Sequence, residues 1–166
     1  MRATLPCIIL ALSISPLSVS ATEVPDAIAA PREILVAIIN AVGAQVYECK
    51  SDAAGKLAWR FREPIATLLI DGKTVGRHYA GPSWELADSS AVTAKVAARA
   101  SGATLNDIPL LKLDVVARRG EGQLADTTTI QRINTRGGVA DGPCESQGVF
   151  LSVPYTADYT FYRKRD

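Results

Sequence analysis

"SAVTAKVAARA", residues 90–100, is the stretch whose reading decides the fold class. Its alanine content suits a helix. Its charges do not. At helical spacing Lys95 and Arg99 fall beside Val92 and Val96, so no clean apolar face forms. At period two Val92, Ala94, Val96 and Ala98 share one side, and Thr93, Lys95, Ala97 and Arg99 share the other. The segment reads as a strand.

Working outward, the same period recurs. "KLAWRFRE" (56–63) sets Leu57, Trp59 and Phe61 against Arg60 and Arg62. "ATLLIDGKTVGRHYAG" (66–81) holds Asp71-Gly72 between two β-type runs. Both positions of that pair tolerate positive φ, which predicts a two-residue hairpin turn. "IPLLKLDVVARR" (108–119) and "QLADTTTIQRINT" (123–135) read as further strands. "FLSVPYTADYTFYRK" (150–164) puts Val153, Tyr155, Ala157, Tyr159 and Phe161 on one face and is the clearest strand of all. "TEVPDAIAAP" (22–31) is small, Pro-punctuated and reads as extended, and "REILVAIINAVGAQVYECK" (32–50) is apolar nearly throughout. Its β-branched residues favour a long strand bent or bulged near Gly43, with Gln45, Tyr47 and Cys49 on one side. A helix over 32–41 stays open as the alternative. Seven to nine strands with Gly/Pro turns and little helix predict an all-β, single-domain antiparallel sandwich or barrel.

The first 21 residues stand apart. "MRATLPCIILALSISPLSVSA" has one arginine, a short apolar run and small residues before a cut after Ala21. That is the layout of a signal peptide, with residues 22–166 left as one β-rich domain. The apolar run is too short to span a bilayer. Export to the periplasm or the extracellular space follows. Of the 18 basic residues only Arg2 leaves with the leader, so 17 basic and 17 acidic residues remain. A neutral chain gives no electrostatic case for nucleic acid or an anionic membrane surface. Cys7 also leaves. The pair Cys49 and Cys144, in an oxidising compartment, reads as a disulfide.

Several chemistries fail on context. "RGEGQLA" matches G-x-G-x-x-A at Gly120, Gly122 and Ala125, but a β-branched run follows where a dinucleotide cradle needs a helix. No cofactor is expected. "GPSWE" lacks the second glycine of a nucleophile elbow around Ser83. A single histidine, His78, supplies no metal-binding spacing, and no metal site is expected.

What remains is "GRHYAGPSWE" (76–85). It gathers His78 and Tyr79, near the end of the second strand of the hairpin, with Trp84 and Glu85 beyond the Gly81-Pro82 turn, in one loop cluster, and amphipathic rings suit a glycan or small-molecule surface. Arg132 in "IQRINTRGG" (130–138) is a candidate anion contact; pairing with Asp or Glu on the sheet surface is its expected role. Trp84 plugging the end of the sandwich, with His78 hydrogen-bonded beneath it, is the purely structural reading. The leading expectation is a non-catalytic binding or envelope-associated module. The alternative is a secreted ester or glycoside hydrolase using His78 or a carboxylate pair drawn from Glu85, Asp88 and Asp158.

The motifs "GAQVYECK", "GRHYAGPSWE", "IPLLKL", "TIQRINTRGG", "CESQG" and "VPYTADYTFYR", in this order, resemble a family of secreted bacterial and fungal proteins known as domain of unknown function 3455. The resemblance spans Val24 to Arg163 and implies an exported β-rich domain without an assigned activity. One departure is visible. The family pattern has Asp-Gly-Ser after the tryptophan; this chain has Asp88-Ser89-Ser90. That puts a glycine-dependent turn in doubt.

Overall fold

The β-branched run from Ile34 onward is extended, with no helical segment in it. The computed structural model describes residues 24–165 and is all-β apart from one short 3-10 turn at Asp26–Ile28. The signal-peptide reading of residues 1–21 lies outside the described residues. The strands are β1 (Ile34–Ser51), β2 (Leu57–Ile70), β3 (Lys73–Tyr79), β4 (Ser83–Leu86), β5 (Ala91–Ala100), β6 (Leu110–Arg119), β7 (Thr129–Gly137) and β8 (Phe150–Arg163). Each pairs antiparallel with the next, and β8 returns to pair with β1. Of sandwich and barrel, the chain forms the closed barrel. The ring closes where β3 and β4 lie between β2 and β5; beyond them Phe61–Ile65 of β2 pairs only with β1, and Lys95–Ala100 of β5 pairs only with β6.

Alternation along the strands points one set of side chains into the ring. β1 contributes Ala37, Ile39 and Ala41; β8 contributes Tyr155, Ala157, Tyr159 and Phe161. Large and small residues face each other across the pair: Ala37 opposite Phe161, Gly43 opposite Tyr155. Gly43 has a specific steric reason. A Cβ there would collide with the carbonyl of Ile65 and with Ala66 on β2. The expected bulge does not fall at Gly43 itself. The register shifts of β1 lie elsewhere, between Leu35 and Ala37 and between Val46 and Tyr47.

The two ends of the barrel differ. At one end the Asp71-Gly72 turn has both residues at positive φ, as its sequence predicts. Beside it the Ala87–Ser90 turn meets the β6–β7 loop. Asp88 accepts from the Gln123 and Ser90 backbone N–H groups and the Ser90 hydroxyl, which itself accepts from Leu124 N–H. Leu124, fully buried, plugs this end. Ser89 takes φ 69°, a left-handed conformation that glycine adopts at least cost, so the turn forms here with serine at that position.

At the other end lie the β1–β2, β3–β4, β5–β6 and β7–β8 connections. Here the long β7–β8 loop is tied to β1. Cys49 and Cys144 form a disulfide, 95 residues apart in sequence. Tyr47 Oη donates to the Gly138 carbonyl at 2.7 Å.

Three readings need correction. "QLADTTTI" is a strand only from Thr129, because Gln123 to Thr128 build the plug loop. The segment before Pro31 is not simply extended: its 3-10 turn lays Ile28 against the outside of the barrel, fully buried, where Gln131 Nε2 and Lys112 Nζ donate to the Ile28 and Ala29 carbonyls. Third, two register shifts in β5 break the uniform alternation of residues 90–100. Val92 and Ala94 are buried, while Val96 is 37% exposed.

Candidate functional site

His78 and Trp84 do not share a loop. They sit on β3 and β4, directly opposite each other across a tight turn of Ala80, Gly81 and Pro82. The Gly81–Pro82 peptide is cis. Both rings point into the barrel. They stack with centroids 4.4 Å apart and planes 12° apart, and Tyr159 from β8 meets both edge-on. This aromatic cluster forms the floor of a cavity of about 420 Å³ that opens at the disulfide-tied end. The walls are mainly apolar: Leu111, Leu113, Ile108, Pro64 and, toward the rim, Val96 and Phe61.

His78 is almost fully buried. Its Nδ1 lies 2.8 Å from the Ser83 carbonyl oxygen. A carbonyl only accepts, so Nδ1 carries the proton and Nε2 is the acceptor. Burial pushes the His78 pKa down to about 3; the Ser83 carbonyl opposes this and the charge of Arg132 adds to it. The imidazole is therefore neutral at neutral pH. Burial also raises the pKa values of Tyr155 and Tyr159, which stay protonated.

Arg132 faces inward. It stands opposite Leu111 on one side and Tyr159 on the other, both core residues. Its Nε and Nη2 both donate to the Pro109 carbonyl, at 3.0 and 2.8 Å. The expected pairing with a surface carboxylate does not occur. The reason is phase: Arg132 shares the inward face with Ile130, and the irregularity around Asn134, at φ 51°, comes only after it.

The other two candidates part from the cavity. Tyr79 and Glu85 point outward. Tyr79 Oη, Arg77 Nη2 and Arg119 Nη2 all donate to Glu85 Oε2 at 3.0–3.1 Å. The Arg77 and Tyr79 hydrogen bonds hold the Glu85 carboxyl below the usual range. This is a cross-strand charge cluster on the solvent face. The carboxylates do not converge either. Asp88 anchors the plug turn, and Asp158 accepts from Asn40 and Asn134 outside the ring. Ser83 offers His78 its carbonyl, while its hydroxyl is bonded to Thr93. Neither a serine–histidine pair nor a facing carboxylate pair is assembled among the described residues. No group of three His, Cys, Asp or Glu is placed to hold a metal there.

Sequence reasoning missed Gln45, Tyr47, Phe61, Arg99 and Tyr159 as cavity residues. One signal was present. Gln45 and Tyr47 alternate in phase with Cys49, so a polar amide stood on the face that had to turn inward. In the structure that amide is buried. It lies beside the Tyr155 hydroxyl, and the buried Trp84 Nε1–H has no hydrogen-bond partner among the described residues.

A family profile described as "Protein of unknown function (DUF3455)" matches residues 30–72 and 69–163. No curated protein and no solved structure matches the chain.

Proposed function

The chain belongs to the DUF3455 family of proteins of unknown function, and within it we propose that this member is an exported, non-catalytic binding protein that holds a small molecule inside its barrel. The observation that carries this reading is the cavity itself. Its volume of about 420 Å³ falls within the range of small-molecule sites. Its lining is mostly apolar with a few convergent polar groups, as such sites require. An eight-stranded barrel has an interior wide enough for side chains or for one small ligand. Here side chains fill the plugged half and leave the other half open. His78 and Trp84 form the floor, so they shape the site and support the fold together.

Export is supported by the leader layout of residues 1–21 and by the disulfide, which persists in oxidising compartments. Non-catalytic binding is favoured by the chemistry at the floor. His78 is held neutral with Nδ1 committed to a backbone carbonyl, and the Ser83 hydroxyl is bonded to that of Thr93.

The test is binding of a neutral fluorescent apolar probe, N-phenyl-1-naphthylamine, to the oxidised protein. Saturable one-to-one binding is expected. It should be lost when Val96 at the rim is enlarged (Val96→Trp). Absence of binding, or equal binding by the Val96→Trp protein, would overturn the reading.

A further inference from the structure

The cavity lining contains three arginines, Arg62, Arg99 and Arg132, and no aspartate or glutamate. Arg62 is held by Glu48 and Glu63. Neither Arg99 nor Arg132 forms an ion pair among the described residues. Arg132 matters more because it lies deeper, beside Tyr159 and Leu111. A guanidinium has five N–H donors. Two of these go to one neutral carbonyl, that of Pro109, and Arg132 also meets the neutral Tyr159 hydroxyl; neither partner compensates its charge. The Arg132 charge is felt at Tyr47, His78, Tyr155 and Tyr159, all on the barrel interior. A partly buried cation among apolar walls, without a counter-ion among the described residues, is an unfavourable arrangement by itself. An anionic ligand relieves it, and a planar fork of N–H donors suits a carboxylate.

The remaining shape sets the rest of the ligand. Between the floor and the mouth the walls are Ile108, Leu111, Val96 and Phe61, and the last two are 37% and 54% exposed. They offer an apolar path from Arg132 to solvent. At about 30 Å³ per water-sized unit, the cavity has room for roughly 14 non-hydrogen atoms.

We propose that the barrel binds a carboxylate-headed apolar molecule of medium-chain fatty-acid size, with its carboxylate on Arg132 and its apolar body along Leu111, Ile108, Val96 and Phe61 toward the mouth. The proposal rests on the binding reading above and adds the ligand's charge and polarity.

The test displaces bound N-phenyl-1-naphthylamine with three ten-carbon probes: decanoate, decanol and decyltrimethylammonium. Decanoate is expected to displace the dye at least tenfold more tightly than decanol, and decyltrimethylammonium least tightly. Arg132→Gln, which retains a donor for the Pro109 carbonyl, should weaken decanoate at least tenfold and leave decanol unchanged. If this variant does not fold, the wild-type series alone decides. Equal displacement by decanoate and decanol would overturn the anion assignment while leaving the binding barrel intact. Dye binding with no displacement by any decyl probe overturns the ligand class. Failure of the dye itself to bind removes both proposals.

Discussion

Lowering the pH from 7.5 to 5.0 should cost this protein about 2 kcal/mol of stability through one side chain. His78 is the only histidine in the chain. Its imidazole is buried between Trp84 and Tyr159, which pushes its pKa from 6.5 to about 3. The unfolded chain takes up a proton below pH 6.5, and the folded chain does not do so until about pH 3. Between those values the unfolded state binds more protons, so stability falls as the pH falls. Each unit is worth about 1.4 kcal/mol, and pH 5.0 lies about 1.5 units below the unfolded value, giving about 2 kcal/mol. The window is clean because the carboxylates with lowered pKa values, Glu85, Asp88 and Asp107, lose their contributions only as the pH falls below the ordinary carboxylate range. Urea unfolding of the oxidised protein at pH 7.5 and 5.0 measures the difference. The control is His78→Asn, whose amide still reaches toward the Ser83 carbonyl. It should be less stable at both pH values, with the pH-dependent loss abolished. Superimposed wild-type curves, or an undiminished loss in His78→Asn, would refute the burial argument.

Other outcomes follow from features at the two ends of the barrel. Reducing the Cys49–Cys144 disulfide should lower stability by up to about 4–5 kcal/mol, since it closes a 95-residue separation, as denaturation with and without reductant would show. Ser89→Gly should raise stability by about 0.5–1 kcal/mol, because glycine accepts φ 69° without the steric cost that serine bears; an unchanged or lower urea midpoint would count against it. Gly43→Ala should destabilise by about 1–3 kcal/mol, since the new methyl meets backbone rather than a movable side chain. Glu85→Gln and Tyr79→Phe should leave dye binding unchanged, because both residues lie on the solvent face; a weakened dye constant would place the site wrongly.

Much of the barrel was legible in the sequence because period-two alternation is local. The face of β8 running through Tyr155, Ala157, Tyr159 and Phe161 was read correctly, and all four are buried. The choice between sandwich and barrel was not legible. It depends on β1 pairing with β8, and no local pattern records which distant strand completes a ring. At the site, His78 was read correctly at the end of a hairpin strand, but the short β4 was hidden by its four-residue length, so Trp84 looked like a loop residue instead of the ring partner opposed to His78. Strand phase then separates what proximity in sequence had joined. His78 and Trp84 face in, and Tyr79 and Glu85 face out. The inward turn of Arg132 was missed because a charged residue on a strand is ordinarily assigned to the solvent face.

The pairing of Ile34 with Arg163 has a consequence for the order of events in the life of the chain. As the polypeptide is made, β1 is the first of the eight strands to appear and β8 the last. Every length short of β8 lacks the strand that covers one side of β1, so no such chain can close the ring. Such long-range pairing slows folding relative to local contacts. Completion of the barrel is therefore tied to the appearance of β8, and before that strand emerges there is no finished barrel to undo.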